Sequence, residues 1–161
     1  RDPRLRPEWS ARADTRMDAL WQNAPQGDSV IGVRDQQHAR WRFDESPLTS
    51  IRYLWLHCAR SGETQAWFAL REKDTALHVL DYWSIDGANG LSPRHVRALL
   101  AAARAAGHAS VSVEISGNEA QLRGWKDNGF RARGSRPVFA RWNRTMAEPS
   151  AWFLTSADED E

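Results

Sequence analysis

The residue types able to do chemistry are few in this sequence, and their spacing excludes more than it admits. The five histidines stand alone: His38, His57, His78, His95 and His108 form no pair at the i, i+4 separation of a helical metal site. A strained Gly-x-Ser-x-Gly turn is also absent, so no nucleophilic serine of that kind is expected. The single cysteine, Cys58, excludes both an internal disulfide framework and a cysteine-rich zinc site. One segment remains of interest, Asp86–Arg97, "DGANGLSPRHVR". There Gly87 and Gly90 precede a helix start, and backbone N–H groups at such a start attract anions. It reads either as a phosphate loop charged by Arg94 and Arg97 or as a plain strand-to-helix connection.

The elements that would position these residues follow from period and punctuation. "DTRMDALWQNA" has Met17, Leu20 and Trp21 on one helical face, and a second helix is expected in "VRDQQHARWRFDES", ending at Pro47. From Ser50 the period becomes two. "SIRYLWLHCARSG", "TQAWFALREKD" and "ALHVLDYWSID" predict three strands, most economically an antiparallel meander. Ser92, Pro93 and Gly107 then bound a helix, Val111, Val113 and Ile115 alternate along one strand, and Asn118 to Gly129 frame a further helix. "FRARG" and "RPVFARWNR" predict two final strands. The expected fold is α/β, with a mixed, mainly antiparallel central sheet flanked by helices.

Composition sets the outer bounds. The 161 residues, 41% of them hydrophobic, suffice for one core, and 22 basic against 21 acidic residues give no argument for nucleic acid. Apolar runs are broken by charge within a few residues, so neither a membrane span nor a signal peptide is expected, and a cytoplasmic location is the default. The reading divides the chain into a linker-like segment 1–13, a domain 14–155 and a solvated acidic tail 156–161. Nine tryptophans, with arginines at 123, 131, 133, 136, 141 and 144, read mainly as core rings beside a solvated basic face. Trp21, Trp41 and Trp55 are among the expected core residues.

The stretch "AAARAAGHASVSVEISGNEAQLRGWKDNGF" resembles the GNAT superfamily of acyl-CoA-dependent N-acyltransferases in the length and register of its helix, strand and Asn-headed helix ending in Gly-Phe. "VRDQQHARWRFDESPLTSIRYLWL" and "AWFLTSADED" are similar to a subset built from two such lobes and associated with cell-envelope or exopolysaccharide loci. The resemblance implies the C-terminal lobe of a longer protein, acetyl-CoA or another acyl-CoA as cofactor, an amine acceptor, and a second lobe or homodimer mate. It implies Asp81 as the base that deprotonates the acceptor, with Glu114 as second choice; read from the residues alone, Asp81 is equally a charge at the sheet rim or the partner of an arginine. It also implies CoA contacts at Ser84, Ser92, Arg94, His95, Val96, Arg97 and Asn118, and no metal.

Two departures favour a second expectation. Leu91, Arg94 and Val96 occupy loop positions that the family's phosphate motif fills differently, with bulk at two that are normally small. Trp125 stands where the family places an acidic tyrosine, and an indole N–H cannot act as a general acid near neutral pH. Trp125 is therefore expected to be a packing residue; Tyr53, Tyr82 and Cys58 are candidate substitute acids, although tyrosines and a lone cysteine on strands are more often core. The alternative function is a non-catalytic lobe that packs against an active one or binds the acceptor.

Overall fold

The computed structural model describes residues 4–47, 50–137 and 152–158. The chain opens with strand β1 (Leu5–Ser10), which pairs antiparallel with a later strand, Ile51–Cys58. This corrects the linker-like reading of segment 1–13: Arg6 and Pro7 obscure the alternation, yet Trp9 and Leu5 pack on the core. Helix α1 (Arg16–Asn23) buries Met17 and Leu20. After a two-residue strand β2 (Val30–Ile31), helix α2 (Gln36–Ala39) starts where the Asp35 carboxylate accepts the His38 N–H at 2.8 Å. It continues as a π-helical turn, Arg40–Asp44, which buries Phe43.

The three predicted strands form as expected: β3 (Ile51–Cys58), β4 (Thr64–Lys73) and β5 (Ala76–Ser84), an antiparallel meander. In register, Trp55 faces Trp67 and Trp67 faces Trp83. Directly opposed residues share a face, so these buried rings make a row beneath α1. Arg16 stacks on Trp55 at 4.1 Å, Trp21 meets Trp83 at 5.0 Å, and the Trp83 indole N–H donates to the Leu20 carbonyl.

Gly87–Asn89 forms a short 3-10 turn, and α3 (Pro93–Ala105) follows with Pro93 in its first turn. Strand β6 (Ser110–Val113) lies parallel to β5, which completes a five-stranded sheet in the order β1-β3-β4-β5-β6. The pairing ends at Val79 and Val113. Beyond it the chain turns away as β7 (Ile115–Ser116), so the single expected strand over 109–116 is two pieces in two sheets. Helix α4 (Glu119–Lys126) and strand β8 (Trp152–Thr155) follow, and β8 pairs with β2 and β7 in a second, three-stranded sheet.

Two other expectations change. Phe130–Gly134, expected as a strand, has no regular secondary structure, and neither do Arg136 and Pro137; the rest of the last predicted strand lies outside the described residues. The acidic tail is not simply solvated, because Ser156–Asp158 is a 3-10 turn with Ala157 buried. Residues 159–161 lie outside the description.

Candidate functional site

Asp81, the expected base, sits at the end of β5 that has left β6, and it is buried. One oxygen, Oδ1, accepts from Arg34 Nε at 2.9 Å and from Thr155 Oγ1 at 2.8 Å. Arg34 is buried as well. Its other nitrogens donate to the Gly32 carbonyl and to Asp158, each at 2.6 Å, and its guanidinium lies 5.1 Å from the Phe153 ring. Burial pushes the Asp81 carboxyl upward; the charge of Arg34 opposes this, and Asp158 adds to it. For Arg34 the desolvation that favours loss of its proton is outweighed by the two carboxylates. A base must come within about 3 Å of the proton it removes. Asp81 instead ties β5, the segment before α2 and the C-terminal turn together, and its free oxygen, Oδ2, is closed off from solvent.

The second expected cluster gathers at the start of α3. Ser84 is buried, and its hydroxyl accepts the Asp86 N–H at 3.1 Å. One oxygen of Asp86 lies 3.2 Å from His95 Nδ1 and 3.3 Å from the Ser92 N–H, while Ser92 Oγ is 3.0 Å from the same His95 nitrogen. Serine and carboxylate thus share one ring nitrogen, whereas a triad needs them on opposite ones. Burial acts to raise the Asp86 carboxyl, but His95, the Ser92 N–H and Arg94 together hold it below the ordinary carboxylate value. Arg94 donates to Gln65, Arg97 is exposed, and Val96 is core.

Helix α4 closes over this region. Asn118 caps it through a reciprocal pair of bonds with Gln121, at 3.0 and 2.9 Å. Gln121 is buried and also donates to the Ala88 carbonyl. A side chain on Gly124 would meet the Leu91 carbonyl oxygen at 2.0 Å, so only glycine permits this approach. One residue on, Trp125 is buried against Tyr82 and Phe130, as a packing residue should be.

Glu114 lies apart from these groups: it is exposed and paired with Arg136. The two tyrosines among the substitute acids are poorly suited too. Burial pushes the Tyr53 and Tyr82 phenols upward, Tyr53 donates to Asp44, and both rings are core. Arg34, Asp86, Gln121 and Asp158 were not singled out by residue type. Arg34 stood in the quoted Arg-Asp pair, but nothing local marked its partner 47 positions away.

A different opening exists between α1 and α2, a trough of about 760 Å³ walled by Trp21 and Trp41. Trp41, expected in the core, is 65% exposed, because Ala39 at the end of α2 and Phe43 in the π-helical turn take the buried face and Trp41 lies between them on the other. Among the described residues no group of three or more His, Cys, Asp or Glu is placed to hold a metal ion, and no helix is long and apolar enough to cross a membrane. No family model, curated protein or solved structure matches this chain.

Proposed function

We propose that this chain is a GNAT-like acyltransferase lobe with a closed acyl-CoA site, acting as a packing or acceptor-binding lobe beside a catalytic one, in keeping with an envelope-polysaccharide acyltransferase. The element order supports the fold half of this reading: a meander, then helix, strand, helix and strand, with β5 and β6 parting after Val79 and Val113. The single observation that carries the closed site is Asp86. Its carboxylate already takes the place near the Ser92 N–H where a pyrophosphate would have to bind, and like charge repels like. The contact of Gly124 with the Leu91 carbonyl narrows the same region.

Calorimetric titration of the chain with acetyl-CoA tests this. The expected dissociation constant is ~0.1 mM or weaker. A low-micromolar constant would overturn the closed-site reading and favour a second one, in which the chain is itself an acyl-CoA-dependent N-acyltransferase. What speaks for that second reading is the end of β5 that β6 has left, where Asp81 keeps one oxygen without a hydrogen bond. It requires Arg34 to release Asp81 when substrate arrives, and an Asp81→Asn chain should then lose transfer to a panel of primary amines while keeping acetyl-CoA affinity.

A further inference from the structure

The trough between α1 and α2 has the makings of a small-molecule site. Its volume of about 760 Å³ lies within the roughly 300–1,000 Å³ range of such sites. Its walls are fixed. Trp21 is held by its ring contact with Trp83, Asp18 by the Gln36 N–H at 2.9 Å, and Asp35 by the His38 N–H at 2.8 Å. Each of these two carboxylates accepts that bond through one oxygen and retains acceptor capacity on the other.

Charge decides the sign of the occupant. Asp18, Asp35 and Glu45 line the trough against a single guanidinium, Arg40, which lies 3.7 Å from Glu45 in an exposed pair. Such a pair is weak. The lining is therefore anionic in a protein whose formal charge is +1, which disfavours phosphates and nucleic acid and favours a protonated amine. The exposed indole of Trp41 offers a flat face to a cation or to the C–H face of a sugar ring. Around it the Gln22 and Gln37 amides donate and accept at once, as hydroxyl recognition requires. A simple alkylammonium would use neither the amides nor the length of the trough.

We infer that this trough binds an amino sugar, with the ring stacked on Trp41 and its ammonium drawn to the carboxylate of Asp18 or Asp35. The inference is separate from the acyl-CoA reading and stands whether or not that site is closed.

The test is titration of the full chain with a glucosamine trisaccharide, followed by tryptophan fluorescence and calorimetry, beside its N-acetylated form and choline. Saturable binding of the amine form is expected, with both comparators at least about tenfold weaker, a difference of 1.4 kcal/mol. Asp35→Asn keeps a good helix cap and removes the charge, so it should weaken binding by about tenfold without loss of fold. Trp41→Ala, at an exposed position, should abolish binding while leaving the circular dichroism unchanged. Failure of the amine form to saturate overturns the inference, as does equal affinity for the acetylated form or for choline, or indifference to both substitutions.

Discussion

The indole N–H of Trp125 donates to the Tyr82 hydroxyl at 3.2 Å, and both rings are buried. This bond joins α4 to β5 at the place where β5 has lost β6, so the aromatic pair substitutes for a missing strand contact. Truncation of Trp125 to alanine should cost roughly 3–5 kcal/mol, as large aromatic deletions in cores do. Trp125→Phe keeps a ring but leaves the Tyr82 hydroxyl without its donor, and should cost about 1–3 kcal/mol. Urea denaturation midpoints measure both. A Trp125→Ala chain with an unchanged midpoint would show that the ring serves a ligand rather than the core.

The Arg34–Asp81 pair invites a similar measurement. Arg34→Met leaves buried Asp81 and partly buried Asp158 without their shared cation, and removing one partner of a buried pair costs about 3–5 kcal/mol. Arg34→Lys should recover little, because separate guanidinium nitrogens reach Asp81, Gly32 and Asp158. A lysine variant as stable as the parent would mean that the fork geometry is irrelevant.

The closeness of α4 to the turn before α3 rests on two glycines. Gly124→Ala would place its Cβ 2.0 Å from the Leu91 carbonyl oxygen. Gly90, at φ +86°, approaches the Gln121 backbone from the other side of the contact, with 2.5 Å from a built Cβ to Gln121 Cα. Either alanine should lower the melting temperature by several degrees, on the order of 2 kcal/mol or more. Gly62, also at positive φ but with open space around it, is the control: its alanine variant carries only the backbone strain and should fall less. If all three melt together, contact between α4 and that turn adds nothing.

Asp86 gives a pH dependence with a definite sign. Its folded carboxyl is held below the ordinary value, so the folded chain binds that proton less readily than the unfolded chain does. The stabilisation is fully present above the unfolded value of about 3.9 and is lost as pH falls through the lower, folded value. Asp86→Asn should therefore be less stable than the parent near neutrality, and the gap should shrink below about pH 4. Guanidinium melts at pH 7 and pH 3 read the difference; a gap that widens in acid would refute the linkage.

Much of the architecture was written locally. The period-two runs of Ile51–Cys58, Thr64–Lys73 and Ala76–Ser84 specify strands, and Asn118 with Gln121 three residues on specifies a capped helix start, because these signals act over a few residues. The face that Asp81 presents was not local. Val79 pairs with Leu70 but Asp81 with Ala69, so Leu80 is an extra residue that turns Asp81 away from the face of Val79 and toward Arg34. Trp41 likewise belongs to the surface because packing buries Ala39 and Phe43, two residues to either side of it, and so turns Trp41 outward. The sequence by itself determined the three-stranded meander, the two helices that start at Pro93 and after Asn118, and Trp125 as a packing ring. Only the tertiary structure decided which carboxylates are locked: Arg34 meets Asp158 across 124 positions, and Asp86 turns back on the helix that follows it. A periodic pattern encodes which face of an element is apolar, whereas the identity of a partner across the chain is fixed by strand register, a bulge and the absence of a side chain at Gly124.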